Sequence, residues 1–188
     1  MGGLRVIAGK AKGHNLRSVP GDSTRPITHR TKESLFNIIG ADIIDSTLLD
    51  LFAGTGSVGI EALSRGAKLV LFVDKSQHAI NTVKINLHNT GLDQNANVLK
   101  KDAFKLLEQA TSQAFDYIYI APPQYKDLWK RSLFLLDSTL EWLSSDAWAI
   151  AQIHPVEYQS IELERLVEFD QRQYGSTLLL FYNMKETV

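Results

Sequence analysis

The 188-residue sequence contains no cysteine, and this absence excludes disulfides, thiolate zinc sites and a cysteine nucleophile. It also lacks any apolar run near the roughly 18 residues that a bilayer-spanning helix needs. No group of histidine and acidic residues has the spacing of metal ligands, so we predict no metal site. The first residues, Met1 to Arg5, lack the apolar core of a secretory signal. These absences together predict a cytoplasmic protein with no membrane contact.

The charges that are present are distributed unevenly. The net charge is −1, but residues 1–32 hold seven bases against one acid, a net +6, which leaves 13 bases and 20 acids, a net −7, for the rest. A basic segment on an acidic body favours a polyanionic partner such as nucleic acid, and a solvated basic face is the alternative. The basic residues expected to contact RNA are Arg5, Lys10, Lys12, Arg17, Arg25, Arg30 and Lys32.

The order of the predicted elements indicates an α/β protein. Short strands over 4–8 and 14–19 flank a glycine-bounded turn, and a helix begins at Thr28. Strands then alternate with helices, which favours an open, mostly parallel sheet with helices on both faces. The predicted strands are 48–52, 69–74, 96–100, 115–121, 147–153 and 176–183, with a further strand implied by the order over 161–173. The predicted helices are 57–65, 76–90, 102–110 and 125–142. Since no helix follows the last strand, it can enter the sheet antiparallel.

The most informative segment is LLDLFAGTGSVGIE, residues 48–61. An apolar run ends in Asp50 and Leu51, a glycine-rich turn follows, and a helical pattern begins near Ser57. Gly54 and Gly56 have no Cβ, so the backbone can turn tightly and approach a ligand closely. The first turn of the helix directs unpaired N–H groups at the same place. This arrangement predicts a site for a nucleotide-type cofactor at the carboxyl end of a strand.

Acids follow the next two predicted strands. Asp74 lies 20 positions after Gly54, a spacing at which dinucleotide folds place a carboxylate on the ribose hydroxyls. Asp102 and Ala103 follow the third strand, where an adenine ring would lie. Each acid has an alternative role as a helix N-cap, which is common for aspartate. Their order after the two glycines favours the ligand role.

The identity of the cofactor rests on two further features. Residues 54–59 satisfy the G-x-G-x-x-G pattern of NAD enzymes, so a small-substrate oxidoreductase is one hypothesis. Asp50 instead favours S-adenosylmethionine, because its carboxylate precedes the turn and can meet the cationic methionine end. Pro122 and Pro123 also close the fourth strand, where a pyrophosphate-binding enzyme has no need of such a pair.

The glycine motif, Val73-Asp74-Lys75-Ser76 and the di-proline motif resemble those of class I S-adenosylmethionine-dependent methyltransferases. Residues 5–13 (RVIAGKAKG), 24–37 (TRPITHRTKESLFN) and 174–177 (YGST) narrow the resemblance to the RsmD family. That family methylates the exocyclic N2 amine of one guanine in small-subunit (16S) rRNA. The resemblance covers nearly the whole chain. It implies a Rossmann-like, mostly parallel seven-stranded sheet with helices on both faces and a small N-terminal β-hairpin.

The same resemblance implies roles for parts of the chain. Residues 1–28 would form a basic arm that contacts RNA, and residues 29–188 the methyltransferase domain. The partner would be 16S rRNA or the small ribosomal subunit, and we expect a monomer. With the acids above, the cofactor site comprises Asp50, Phe52, Ala53, Gly54, Thr55, Gly56, Asp74, Lys75, Ser76, Asp102 and Ala103.

The substrate corner departs from the usual pattern. Amino-group methyltransferases of this type carry Asp or Asn, then Pro-Pro, then Tyr or Phe. The acid or amide oxygen accepts an N–H of the poorly nucleophilic amine, and the aromatic ring stacks on the extruded base. The matching residues here are Ala121, Pro122, Pro123, Gln124 and Tyr125. Since Ala121 accepts no hydrogen bond through its side chain, a catalytically weakened or inactive cofactor- and RNA-binding homologue is the alternative hypothesis.

Overall fold

A sheet of seven strands organises the part of the chain that the structure describes. The structure, a computed structural model, describes residues 4–21 and 27–186. The strands are β1 (Thr47–Asp50), β2 (Leu69–Asp74), β3 (Ala96–Lys100), β4 (Phe115–Ile120), β5 (Leu143–Ile153), β6 (Leu166–Tyr174) and β7 (Thr177–Met184). The helices are α1 (His29–Ile39), α2 (Ser57–Arg65), α3 (Gln77–Thr90), α4 (Ala103–Leu107) and α5 (Leu128–Ser138). Short 3₁₀ turns cover Gly40–Ile43, Asp93–Asn95, Leu140–Trp142 and Pro155–Glu157.

The strand order is β3-β2-β1-β4-β5-β7-β6. Strands β1 to β5 are parallel, whereas β7 pairs antiparallel with both β5 and β6. The chain therefore builds outward from β1 to β3, returns to β4 beside β1, and continues to the other edge. The predicted α/β fold and the antiparallel last strand are confirmed.

Several predicted boundaries differ from the structure, including that of the helix predicted over 102–110, which spans only Ala103–Leu107. The helix predicted over 125–142 spans only Leu128–Ser138, because Tyr125 and Asp127 adopt φ values of 62° and 51°. Strand β5 begins at Leu143 rather than 147, and its register against β4 shifts before Trp148. The ambiguous segment 161–173 becomes a strand only from Leu166.

Apolar side chains cover both faces of the sheet. One buried cluster joins the sheet to α1, α2 and α3 and includes Leu35, Ile60, Phe72 and Val83. The other joins it to α4 and α5 and includes Trp129. Both clusters follow from apolar positions at helical spacing packed on buried strands. Within the described ranges, no helix is long and apolar enough to cross a membrane.

The N-terminal hairpin, residues 4–19, is held against α2 through Glu61. Antiparallel backbone bonds form the hairpin, including a bridge between Arg5 and Asn15. The Glu61 carboxylate accepts the N–H groups of Ile7 and Ala8 at 2.8 and 3.0 Å. Lys32 of α1 completes this contact: its Nζ lies 3.2 Å from Glu61 Oε2 and donates to the Arg5 carbonyl at 2.8 Å. A buried ion pair therefore connects the hairpin to the sheet domain.

Gly59 of α2 allows the helix to lie directly on β2. A Cβ added at this position would lie 2.3 Å from Cε1 of the Phe72 ring. We expect Gly59→Ala to lower the free energy of unfolding by about 2 kcal/mol through overpacking. This loss should outweigh the gain of about 1 kcal/mol in helix propensity. Urea unfolding measures it. Asn37→Ala, at an exposed position of α1, is the propensity control, and a more stable Gly59→Ala protein would contradict the packing account.

Candidate active site

A cavity of about 540 Å³ opens at the carboxyl ends of the central strands. It lies where β1 and β4 are neighbours and the strand order reverses, which is the ligand position in open α/β sheets. Most predicted site residues line it together. From the predicted cofactor and substrate sets these are Asp50, Phe52, Ala53, Gly54, Thr55, Asp74, Lys75, Ser76, Asp102, Ala103, Ala121, Pro122, Pro123 and Gln124. Gly56 and Tyr125 do not line it.

The turn between β1 and α2 is fixed by backbone bonds to both neighbouring strands. Leu51 N–H donates to the Tyr119 carbonyl of β4 at 3.0 Å, and Ala53 N–H donates to the Val73 carbonyl of β2 at 2.9 Å. Gly56 has a φ of 76° and forms the N-cap of α2, a conformation that suits glycine. Gly56 therefore shapes the turn from behind the cavity wall.

Asp74 joins this turn to the end of β2. Its Oδ2 accepts Gly54 N–H at 3.0 Å, and its Oδ1 accepts Ser76 N–H at 2.8 Å. Ser76, rather than Asp74, is the N-cap of α3. Since each carboxylate oxygen can accept a second hydrogen bond, Asp74 retains the capacity to accept from a ribose diol.

Asp50 places a buried carboxylate at the other end of the turn. It is 2% exposed, and its Oδ2 accepts Gly59 N–H at 3.3 Å. Among the described residues it has no ion-pair partner. Burial raises the pKa of Asp50 to about 7, while the Gly59 bond opposes the rise and the Asp74 charge adds to it. A cationic ligand group here would compensate the buried charge.

Phe52, Phe104 and Asp102 also line the cavity. Phe52 and Phe104 meet edge to face with their centroids 6.0 Å apart. One oxygen of Asp102 accepts Phe104 N–H and Lys105 N–H, which makes it the N-cap of α4. Its alternative role as a cap is therefore present, although the residue also lines the cavity. Phe104, two residues beyond the acid, was absent from the predicted site.

The di-proline corner also lines the cavity, but the aromatic residue that follows it does not. Tyr125 is 67% exposed, and its ring centroid lies 5.7 Å from that of His154. Glu157 holds the corner by accepting Tyr125 N–H at 2.6 Å and His154 N–H at 3.1 Å. Gln124 occupies the position directly after the prolines, so Tyr125 is one residue further along the chain. In this conformation, Tyr125 contacts His154 and does not line the cavity.

The predicted RNA-contact residues divide into two groups. Arg5, Lys10, Lys12, Arg17 and Arg30 are exposed. The predicted RNA contact of Lys32 is wrong. Its side chain is 2% exposed and paired with Glu61, so its ammonium group is unavailable to a phosphate. Burial lowers the pKa of Lys32, and Glu61 partly offsets that effect. Arg25 lies outside the described residues.

Several residues at the site were not predicted because the contacts that bring them there join distant parts of the chain. Buried Asn86 of α3 donates to the Thr55 carbonyl at 2.9 Å and accepts Arg17 N–H at 2.8 Å. It thus connects the glycine turn to the N-terminal hairpin. Val19 and Ile27 line the cavity from the N-terminal side. The signal that sequence analysis overlooked is an asparagine between the buried Val83 and Leu87 of α3.

The strand order, the glycine turn and the acids at consecutive strand ends define a class I methyltransferase fold. A family model described as "Conserved hypothetical protein 95" matches residues 4–183. YlbH of Bacillus subtilis, provisionally named an rRNA methyltransferase, is 40% identical over 97% of this chain and 100% of that protein. Ribosomal RNA small subunit methyltransferase D of Haemophilus influenzae is 36% identical over 78% of this chain and 76% of its own. The chain therefore belongs to the RsmD family.

Solved structures agree with this assignment. The Escherichia coli protein yhhF, provisionally described as a methyltransferase, superposes with a TM-score of 0.85 at 26% identity, covering 98% of this chain and 99% of that one. A provisionally assigned methylase from Haemophilus influenzae gives 0.81 at 30% identity, covering 98% and 100%. The fold of those proteins thus extends over the hairpin as well as the sheet.

Asp50 should make the stability of the cofactor-free protein depend on pH. Because its folded pKa is raised from 3.8 to about 7, the folded state binds the additional proton between these values, and stability falls as the pH rises. Relative to Asp50→Asn, wild-type protein should lose about 2–3 kcal/mol of unfolding free energy between pH 5 and pH 8. Urea unfolding at both pH values measures this loss. Asp93→Asn, an exposed aspartate outside the cavity, should follow wild type, and equal pH slopes for wild type and Asp50→Asn would contradict the assignment.

Proposed function

We propose that this protein transfers a methyl group from S-adenosylmethionine to the exocyclic N2 amine of a guanine in small-subunit rRNA. The observation that carries the proposal is the shared cavity, which the glycine turn, its two acids and the di-proline corner line together. Membership of the RsmD family supports the substrate class. The exposed bases of the N-terminal hairpin support an RNA partner, and contact through residues 1–28 is part of the proposal.

The residues present fit S-adenosylmethionine. Asp74 would accept from the ribose hydroxyls, the apolar wall of Phe52 and Phe104 would contact the adenine, and Asp50 would meet the ammonium group. A cavity of about 540 Å³ lies within the usual range of roughly 300–1,000 Å³ for small-molecule sites. When bound, S-adenosylmethionine supplies a methyl group whose carbon–sulfur bond breaks with its electron pair left on sulfur, while the amine nitrogen forms the new carbon–nitrogen bond and releases a proton.

The glycine pattern alone does not favour NAD over this cofactor. Gly59, the third glycine of the pattern, is required because a side chain there would collide with Phe72. This close packing of helix on strand belongs to the fold, whichever cofactor it binds. Buried Asp50 beside the turn would oppose a pyrophosphate once ionised. The di-proline corner also has a role only when a planar substrate is held beside the cofactor. These features support the methyltransferase over the oxidoreductase hypothesis.

The protein's own residues would position the reactants. Buried Pro122 and its neighbour Pro123 fix the backbone at the corner, so that a carbonyl there can accept an N–H of the amine. Alignment of the amine with the methyl group then supplies most of the rate, because transfer from a sulfonium needs little general-base assistance. Tyr125, exposed beside His154, would stack on the base.

Ala121 supports a second candidate, a homologue of reduced activity. A missing hydrogen bond to an aligned group costs about 1–3 kcal/mol, or about one to two decades in rate. Ala121→Asp should raise the rate if this loss is uncompensated, and an unchanged rate would argue against it.

Methyl transfer itself is the direct test. Incubation with labelled S-adenosylmethionine and small ribosomal subunits from a strain lacking the modification should place label in N2-methylguanine. Asp74→Ala should remain folded by circular dichroism but bind cofactor at least about tenfold more weakly, since it loses hydrogen bonds to a charged group. An active RsmD-family enzyme is the positive control. Label absent from guanine in the presence of that control would contradict the proposal.

The hairpin should contribute RNA affinity without contributing cofactor affinity. We expect the double variant Lys10→Ala, Lys12→Ala to weaken rRNA binding and to reduce the slope of log K against log salt by about 1.4. Filter binding at several salt concentrations measures the slope, and calorimetry with S-adenosylhomocysteine should give the wild-type affinity. Lys68→Ala, at the exposed residue directly before β2, is the matched control. An unchanged RNA affinity in the double variant would remove these lysines from the interface.

A further inference from the structure

The strand beside Ala121 carries a polar side chain at the position where the substrate corner lacks one. Ile120 of β4 pairs with Ala151 of β5, so the next residues along these parallel strands, Ala121 and Gln152, are neighbours. Both line the cavity. In parallel pairing, adjacent residues project to the same face of the sheet. An amide group is therefore available beside the alanine methyl group.

Tyr119 holds this amide in a defined orientation. The Tyr119 hydroxyl donates to Gln152 Oε1. Tyr119 is buried in β4, two residues before Ala121. Burial, together with the nearby Asp50 charge, raises the pKa of Tyr119 well above its usual value, so the hydroxyl remains a donor. Since a carbonyl oxygen accepts two hydrogen bonds, the second acceptor position of Oε1 stays available to a ligand.

The other acceptors of the cavity are less suited to the substrate amine. Asp50 accepts the Gly59 N–H of α2, and Asp74 accepts the Gly54 and Ser76 N–H groups, all at the cofactor end. Gln124 lines the cavity but follows the prolines in the loop that leads to Tyr125. Gln152 instead projects from a central strand, and its amide is oriented by a buried partner.

We propose that Gln152 is a catalytic residue, and Tyr119 its positioning residue, in the reaction proposed above, on which this inference rests. The Oε1 atom accepts one N–H of the exocyclic amine and so localises the nitrogen lone pair toward the methyl group. The nitrogen then bonds to the methyl carbon, the carbon–sulfur electron pair remains on sulfur, and the surplus proton leaves the nitrogen for water. The amide does not take this proton, because it is too weak a base. Gln152 thus supplies the acceptor that Ala121 lacks.

The kinetic test compares Gln152→Leu with Gln152→Glu. Gln152→Leu keeps the approximate volume but removes the acceptor, so kcat on small ribosomal subunits should fall about 10–100-fold, with unchanged affinity for S-adenosylhomocysteine. Gln152→Glu retains an acceptor oxygen and should remain within about tenfold of wild type. Tyr119→Phe should lower kcat by a smaller factor. Gln94→Leu, in the exposed 3₁₀ turn before β3, is the control and should match wild type.

A rescue variant separates this role from a structural one. Ala121→Asn in the Gln152→Leu background places an amide acceptor at the usual position and should recover most of the lost rate, which a packing defect would not allow. The inference would be overturned if Gln152→Leu kept the wild-type kcat, or if its kcat fell and Ala121→Asn did not restore it. It would also be overturned if Gln124→Leu lowered kcat while Gln152→Leu did not. The proposed function is tested separately by identifying the base that the wild-type protein labels. The ratio of kcat values between variants tests the role of Gln152 whichever base amine is methylated.

A binding measurement needs no turnover. In the complex with S-adenosylhomocysteine, ligand-observed NMR should find guanosine monophosphate bound about 3–10-fold more tightly than inosine monophosphate, which lacks the N2 amine. Gln152→Leu should remove this preference. Equal affinity of wild-type protein for the two nucleotides would overturn the assignment of Gln152, whatever the outcome of the methylation assay.

Discussion

The carboxylate of Asp74 accepts N–H groups from Gly54 and Ser76 and so joins the turn after β1 to the turn after β2. Without this acceptor, two backbone N–H groups at the carboxyl edge of the sheet would lose their partner, and the glycine turn would lose its link to the neighbouring strand. The turn sets the cavity wall that Asp50 and Phe52 share. The geometry of the whole site thus depends on one side chain with acceptor capacity left for a ligand.

The N-terminal hairpin is coupled to the same turn by buried polar contacts. Glu61 and Lys32 form the ion pair beneath the hairpin, and Asn86 bonds both Thr55 and Arg17. Removal of Glu61 would leave the buried Lys32 charge uncompensated, whereas Glu61 has a second ion-pair partner in Arg65 at 2.9 Å. The proposed RNA-binding segment and the proposed cofactor turn are therefore parts of one packed unit, which suits a reaction that requires both ligands together.

Local spacing predicts the parts of this protein in which neighbouring residues act together. Short stretches of sequence are enough to predict the glycine turn, the acids at consecutive strand ends and the alternation of strands and helices. The predicted bounds of helix α2 match the structure at both ends. Lys32 was misassigned because a charge count carries no information on burial. Its position three, four and seven residues before Leu35, Phe36 and Ile39 places it on the apolar face of α1, a signal that was available.

Contacts between residues far apart in the chain could not be predicted from short stretches of sequence. The bond between Tyr119 and Gln152 joins residues 33 positions apart, and that between Arg17 and Asn86 spans 69. These pairs depend on strand register and helix packing, which no local pattern specifies. The same limit applies to Tyr125, whose exposure follows from one additional residue after the prolines and from the anchoring of that loop by Glu157.

The central claim is that the turn held by Asp74 binds a sulfonium nucleoside. Titration calorimetry of the wild-type protein with S-adenosylhomocysteine and, separately, with NAD tests it most directly. The account predicts saturable binding of S-adenosylhomocysteine to a single site and no heat from NAD. Saturable binding of NAD, or the absence of binding by S-adenosylhomocysteine, would contradict it.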